Sequence, residues 1–169
     1  MDDQLTAIAE VVDLAEWLDV PVWLRGGWAV DFFLGRVTRP HLDVDWFAHT
    51  EHADRLVAAL LDLGYAHLDK VPRDQQVDLV RGDVEHGIAL LGRDPAGAPV
   101  VPAGPYAGEP WPLDLLDWPP VELHGIRCRV VHPRAQVEIK RMMPEWVPGT
   151  RRRAKDAADI SLLTAALDA

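Results

Sequence analysis

The sequence has little of what marks secreted, membrane-spanning and disulfide-bonded proteins. Its 169 residues contain one cysteine, Cys128, which cannot form a disulfide within the chain. No apolar run approaches the length that crosses a bilayer, and the opening MDDQ has neither the basic nor the apolar segment of a secretory leader. These absences lead us to expect a cytoplasmic protein that does not bind membranes.

Positive charge is also in short supply. Lysine and arginine together number 17 against 27 aspartates and glutamates, which gives a formal net charge of −10. A general nucleic-acid binder would carry a basic stripe to neutralise phosphates, so we expect no nucleic-acid partner. A cationic small molecule fits this charge balance better. The composition indicates no particular oligomeric state, but a hydrophobic fraction of 49% suffices for one sizeable core.

The spacing of apolar residues changes several times along the chain, which indicates mixed α and β elements. The predicted strands are residues 20–24, 43–47, 76–80, 84–91 and 126–131, and the third and fourth form a hairpin. The predicted helices are an N-terminal one behind Asp2 and Asp3, residues 28–35, one ending at Gly64, one from His132-Pro133 to Met143, and a closing one carrying Ile160 and Leu167. Residues 92–120 are rich in proline and glycine, and we expect them to be mainly irregular.

The stretch RGGWAVDFFLGRVTRPHLDVDWF, residues 25–47, places two glycines before a short helix and two aspartates after it. Asp43 and Asp45 are two residues apart on a predicted strand, so their side chains share a face and can converge on a pair of magnesium ions. Gly26 and Gly27 have no Cβ atoms, so a phosphate can approach their backbone at the positive end of the helix. Together the two halves predict a site for a metal-bound nucleoside triphosphate.

Each half alone also has an ordinary structural explanation. A Gly-Gly pair after a strand is usually a turn, and Asp-x-Asp usually lies on a solvated strand face. Here the strand is otherwise apolar, and two like charges on one face are costly unless a cation meets them, which favours metal binding. Several other residues could also have functional roles but more typically have structural ones. Core packing is the more typical role of Trp23, Trp28, Trp46 and His86. Exposure on the surface is the more typical role of Arg151, Arg152 and Arg153.

The combined motif, GGWAVDFFLGRVTRPHLDVDWF, resembles that of the antibiotic nucleotidyltransferases of the lincosamide and aminoglycoside 2''-adenylyltransferase type, within the polymerase-β-like superfamily. The similarity extends more loosely to GIRCRVVHPRAQVEIK and RRRAKDAADISLL. It implies an α+β fold in which a small mixed β-sheet carries the aspartates and is flanked by helices. We expect a nucleotidyltransferase core over residues 1–131 and a helical part, residues 132–169, that packs on it.

The resemblance also implies roles for individual residues. Gly26 and Gly27 would contact the triphosphate, and Asp43 and Asp45 would hold magnesium, as two ions. Basic residues would lie near the phosphates of ATP or another nucleoside triphosphate: Arg39, His41, Lys140 and Lys155.

One position departs from the pattern of these enzymes. They carry a third carboxylate on a later strand, which joins the metal site or deprotonates the acceptor hydroxyl. Aligned by the hairpin, that position falls at Gly87. Glu85 lies two residues earlier on the same strand and face, and we take it as the candidate third carboxylate, with Asp78 and Asp83 as competitors.

The expected reaction is transfer of a nucleoside monophosphate from a magnesium-bound triphosphate to a hydroxyl of a small cationic molecule, an aminoglycoside or a lincosamide. Two alternatives stay open at this point. One is a nucleotide-binding or regulatory homologue that has lost transfer. The other is a toxin-like nucleotidyltransferase that modifies a macromolecule, for which the acidic composition favours protein over RNA.

Overall fold

The computed structural model describes residues 2–146 and 153–169, and the predicted surface arginines Arg151 and Arg152 lie outside them. The helices are α1 (Asp2–Trp17), α2 (Gly26–Leu34), α3 (Thr50–Asp62), α4 (Pro133–Trp146) and α5 (Ala154–Leu167). The strands are β1 (Val22–Arg25), β2 (Val44–His49), β3 (Ala66–Leu68), β4 (Gln76–Arg81), β5 (Val84–Arg93), β6 (Pro99–Val100), β7 (Val121–Leu123) and β8 (Ile126–Cys128). The predicted α+β class is confirmed.

The main sheet is mixed, with strand order β1-β2-β5-β4-β3 and β6 paired to the end of β5. Strand β2 runs parallel to β5, whereas β1 pairs with β2 and β4 pairs with β5 in antiparallel fashion. The predicted hairpin is therefore present as β4 and β5. The parallel pair occupies the middle of the sheet, where apolar side chains from both faces are buried.

Three short strands were not predicted: β3, β6 and β7. The predicted strand over 126–131 is divided in the structure. Its first half forms β8, which pairs with β7 outside the main sheet. Its second half follows β1, since Leu24 donates to Arg129 O at 2.9 Å and accepts from the N–H of Val131 at 2.9 Å. The chain thus reaches the start of α4 from the edge of the main sheet.

The core packs helices against the sheet and contains the residues for which packing was the more typical role. Trp23, Trp28 and Trp46 are buried in it. His86 is also buried, and burial lowers its pKa to about 4. Its ring nitrogens lie 3.1 Å from Trp46 Nε1 and 3.2 Å from the Tyr65 hydroxyl. These tryptophans and this histidine are therefore structural.

Helices α4 and α5 pack on each other and on α2, where Val30, Val137 and Leu163 form a small cluster of their own. The division of the chain between residues 131 and 132 stays a prediction. Among the helices that the structure describes, none combines the length and the apolar character needed to cross a membrane.

Candidate active site

Four residues lie in one row across the sheet and define the floor of the site. Arg25 on β1 is opposite Asp45 on β2, Asp45 is opposite Gly87 on β5, and Gly87 is opposite Asp78 on β4. Residues directly opposite each other across paired strands point to the same face. The row therefore presents, in order, a cation, a carboxylate, a position without a side chain and a second carboxylate.

Asp45 is the centre of this charge arrangement, and Asp43 lies just before β2 in an exposed position. Burial raises the pKa of Asp45, while Arg25 opposes that shift and the like charge of Asp43 reinforces it. Burial likewise lowers the pKa of Arg25, against the attraction of both aspartates. The Arg25 guanidinium also stacks 4.3 Å from the centre of the Phe47 ring. A cation near Asp43 and Asp45 would favour their charged forms.

The glycine pair lies directly beside Asp45, at the first turn of α2. Gly26 has a φ of +68° and begins the helix, and a Cβ atom there would meet the Asp45 carboxylate, whose Cγ lies 3.2 Å away. Gly27 is equally constrained, because a Cβ atom on it would collide with the His41 ring and lie 2.7 Å from Arg39 Nη2. Both positions therefore need glycine, and the free N–H groups of the helix start lie next to the carboxylate.

Asp31, buried in α2, fixes the loop that carries the predicted phosphate contacts. Its carboxylate accepts hydrogen bonds from the Thr38 N–H at 3.1 Å and the Thr38 hydroxyl at 2.6 Å. The other oxygen lies 2.6 Å from His41 Nε2, and His41 Nδ1 lies 2.9 Å from Arg39 Nη1. The ring is thus held between an anion and a cation, with one nitrogen on each.

Asp159, buried in α5, gathers two of the predicted basic residues from distant parts of the chain. It accepts from Arg39 Nη2 at 2.9 Å and lies 3.0 Å from Lys140 Nζ. Lys140 also lies 3.3 Å from the Asp156 carboxylate. Lys155 is near enough, with Lys140, to lower the pKa of Asp45 against the larger effect of burial. Of the four predicted basic residues, Lys140 lines the cleft beside Asp45, and Arg39 and His41 lie against Gly27.

A cleft of about 280 Å³ lies beside Asp45 and is lined by Arg25, Gly26, Asp45, Gln136 and Lys140, among others. Gln136 is buried, and its amide donates to the Gly26 carbonyl at 2.8 Å. Among the described residues its Oε1 atom has no hydrogen-bond partner. The glycine turn is thus supported from α4 as well as from β1.

The predicted third carboxylate, Glu85, has a partner other than the two aspartates, and its role in the site stays a prediction. Its carboxylate pairs with Lys70 at the partly exposed side of the sheet. The carboxylate that lies beside Gly87, together with that of Asp45, is the carboxylate of Asp78. A Cβ atom at Gly87 would lie 3.3 Å from Asp78 Oδ1 and 3.2 Å from Asp45 Oδ1. Asp83 is exposed in the hairpin turn.

Magnesium suits the donor set at Asp43 and Asp45. Within residues 2–146 and 153–169 no three His, Cys, Asp or Glu side chains form a complete ligand cluster. Magnesium in phosphoryl-transfer enzymes needs no such cluster, because one or two carboxylates and the substrate phosphates are its usual ligands. Two carboxylates beside a helix N-terminus fit that description.

Sequence reasoning missed four residues that build the site: Arg25, Asp31, Gln136 and Asp159. Two of them carried a usable signal, since Asp31 lies between Val30 and Phe32 in an apolar helix and Asp159 precedes Ile160 in another. A carboxylate within an apolar helical segment usually has a buried partner.

The chain is similar in sequence to known proteins. Residues 7–86 match the family model described as aminoglycoside-2''-adenylyltransferase. A lincosamide resistance protein from Staphylococcus haemolyticus is 38% identical over 55 residues, which is 32% of this chain and 34% of that protein. A 2''-aminoglycoside nucleotidyltransferase from Klebsiella pneumoniae is 41% identical over 61 residues, 36% of this chain and 34% of that protein. The aligned segments thus span about a third of these relatives.

Solved structures match over almost the whole chain. The crystal structure of ANT(2'')-Ia in complex with adenylyl-2''-tobramycin has a TM-score of 0.78 at 23% identity and covers 98% of this chain and 90% of that one. The lincomycin-bound structure of the lincosamide adenylyltransferase LnuA has a TM-score of 0.72, also at 23% identity, with coverage of 98% and 97%. The predicted resemblance is confirmed, and the fold is that of the nucleotidyltransferases.

Proposed function

We propose that this chain, similar in sequence and in fold to the antibiotic nucleotidyltransferases, is an enzyme that transfers a nucleoside monophosphate from a magnesium-bound triphosphate to a hydroxyl of a small antibiotic. One observation carries the proposal: the Asp45 carboxylate lies against the glycine turn that begins α2, so that a metal-binding group and a phosphate-binding helix start share one cleft. A nucleoside triphosphate with its metal needs both. We take ATP as the donor.

The phosphates would bind at the N–H groups of Gly26 and Gly27, where the helix dipole favours negative charge. Arg39 and His41, held by Asp159 and Asp31, would contact the phosphates from the loop side. Lys140 and Lys155 would approach from α4 and α5. Because these groups are already tethered by hydrogen bonds, little conformational entropy would be lost when the triphosphate binds.

Asp43 and Asp45 would hold magnesium, which supplies positive charge against the triphosphate and against the charge that develops at the α-phosphorus. Arg25 opposes the effect of burial on the pKa of Asp45, and this attraction favours the ionised carboxylate. The acceptor would be cationic, because the net charge of −10 and the carboxylates of the site attract positive ligands. An aminoglycoside or a lincosamide suits this description, and we keep the cytoplasm as the expected location.

The test is a pyrophosphate-release assay with ATP and magnesium over a panel of aminoglycosides and lincosamides that includes tobramycin and lincomycin. The expected result is acceptor-dependent release together with a product whose mass has risen by one nucleoside monophosphate. The matched control is Asp45→Asn, which should release none above background. A second nucleotide series, with GTP, CTP and UTP in place of ATP, tests the choice of donor.

Other outcomes would favour the alternatives. Tight binding of ATP and magnesium, measured by calorimetry, without release for any acceptor would indicate a nucleotide-binding homologue that does not transfer. Growth arrest on expression, with labelled nucleotide in cellular protein, would indicate a macromolecular target.

A further inference from the structure

The Asp78 carboxylate uses only one of its two oxygens in hydrogen bonds to described residues. The side chain lies on β4 in the middle of the hairpin, and the residue is 6% exposed. Its Oδ1 atom accepts from Gln76 Nε2 at 2.6 Å. Its Oδ2 atom is buried and has no hydrogen-bond partner among the described residues. An unpaired buried carboxylate oxygen is costly, so a functional reason is needed for it.

The surroundings of Asp78 show which part of the site its carboxylate borders. Gly87 lies between Asp78 and Asp45 in the row across the sheet, and its lack of a side chain lets both carboxylates and the Gln76 amide approach the same point, where a Gly87 Cβ atom would lie 3.2 Å from Gln76 Nε2. The Oδ1 atoms of Asp45 and Asp78 both lie within 3.3 Å of the point where a Gly87 Cβ atom would stand, so they are separated by no more than twice that distance.

Asp78 is also free of the ion pair that occupies Glu85. Lys70 takes the Glu85 carboxylate, and that hydrogen bond is the largest cause of the raised pKa of Lys70, with Asp78 and Asp43 contributing at longer range. Glu85 is therefore paired at the edge of the site, while Asp78, opposite Gly87 on the neighbouring strand, has no salt bridge to any described residue.

We propose that Asp78 is the third carboxylate of the site and takes the proton of the acceptor hydroxyl, from β4 beside Gly87. The proposal rests on the proposed function. In the step, the hydroxyl oxygen forms a bond to the α-phosphorus, the bond from that phosphorus to the pyrophosphate oxygen breaks, and the hydroxyl proton passes to the Asp78 carboxylate. A positioned base of this kind typically contributes about 10²- to 10⁴-fold to the rate.

The first experiment compares Asp78→Asn with two controls of the same chemical change, Asp83→Asn in the exposed turn and Glu85→Gln at the Lys70 ion pair. We expect Asp78→Asn to lower kcat by at least about 100-fold while the affinity for ATP and magnesium, measured by calorimetry, stays within about twofold. Asp83→Asn should keep the wild-type rate. A larger loss in Glu85→Gln than in Asp78→Asn would overturn the assignment, as would a wild-type rate in Asp78→Asn.

The second experiment moves the carboxylate from position 78 on β4 to position 87 on β5. Gly87 does not require a positive φ, and Asp78→Ala removes one of the three atoms that a Cβ atom there would crowd, so an aspartate fits once Asp45 Oδ1 and Gln76 Nε2, each at 3.2 Å, shift by a few tenths of an ångström. The double variant Asp78→Ala, Gly87→Asp should recover at least about tenfold of the rate lost in Asp78→Ala, because the carboxylate returns to the same region from the neighbouring strand. A purely structural role for Asp78 would give no recovery.

A stability cycle tests the geometry without any acceptor. Gly87→Asp alone should crowd three carboxylates and lower the unfolding free energy, and Asp78→Ala should relieve most of that loss. If the effects of Gly87→Asp and Asp78→Ala on the unfolding free energy are additive, Asp78 does not lie beside Gly87, and the proposal is overturned. If the wild-type protein transfers nothing to any acceptor, the proposed function fails and the base role with it. A wild-type enzyme beside an equally fast Asp78→Asn variant would instead overturn the role of Asp78 alone.

Discussion

The substitution Asp159→Asn tests whether one buried carboxylate holds the basic side of the cleft together. The Asp159 side chain is 1% exposed and is bound to Arg39, which is 25% exposed, and to Lys140, which is 11% exposed. Asparagine has nearly the same shape and keeps one oxygen acceptor, so the change removes the charge and little else. Two partly buried cations, Arg39 and Lys140, would then lie close together with less negative charge beside them.

The cost follows from the exposure of the three side chains. Removing one partner of a fully buried ion pair costs about 3–5 kcal/mol, because the remaining charge stays desolvated. Arg39 can turn partly into water, so we expect about 2–3 kcal/mol of lost unfolding free energy. For a chain of this size, that loss lowers the melting temperature by about 5–10 °C. The affinity for ATP and magnesium should fall as well, since Arg39 is no longer held beside Gly27.

The assay is urea denaturation followed by tryptophan fluorescence, with Asp156→Asn as the matched control. Asp156 also binds Lys140, but it is 15% exposed and its other partner, Arg153, is 57% exposed. A pair exposed to that degree is worth about 1 kcal/mol or less, so the control should lose far less stability. If Asp156→Asn costs as much as Asp159→Asn, or if Asp159→Asn is neutral, the anchoring role of Asp159 is refuted.

Three further predictions concern the rest of the site and the core. Asp43→Asn and Asp45→Asn should each abolish magnesium-dependent transfer, and transfer by either variant would contradict the metal role. Only Asp45→Asn should also lower stability, because it removes the negative charge that attracts Arg25. Equal stability of the two variants would contradict this interaction between Arg25 and Asp45. Gly27→Ala should weaken binding of ATP and magnesium, measured by calorimetry, by displacing the histidine and arginine behind it, and unchanged affinity in the folded variant would disprove the phosphate cradle. Burial lowers the pKa of His86 to about 4, so the unfolded chain takes up a proton first as the pH falls, and about 3 kcal/mol of stability present above pH 6.5 should be lost by pH 4. Urea titrations across that range should give a flatter pH profile for His86→Asn, and identical profiles would refute this origin.

Local spacing explains what could be predicted of the fold and the candidate site. The two glycines, the helix after them and the two aspartates lie within 23 consecutive residues, so their geometry follows from the periods of a helix and a strand. Partners that meet only in the folded chain could not be derived in this way. Asp31 and His41 are 10 residues apart, and Arg39 and Asp159 are 120 apart.

The third carboxylate shows a different limit. The hairpin of β4 and β5 was predicted, and its register alone pairs Asp78 with Gly87. The sequence alone favours Glu85 as the substitute, because residues two apart on one strand share a face. Neighbouring strands share a face as well, and the residue opposite on the next strand lies closer than the residue two positions away.

The contact between Arg39 and Asp159 also orders events in the life of the chain. Arg39 leaves the ribosome 120 residues before its partner, which at 5–20 residues per second means about 6–24 s earlier. Within that interval the strands that carry Arg25, Asp45, Asp78 and Gly87 are already synthesised and can pair. The loop that bears Arg39, however, waits for α5 to supply its anchor. A nascent chain can therefore present the carboxylates of the site well before it can hold the cations opposite them, and nucleotide binding should begin only when α5 docks.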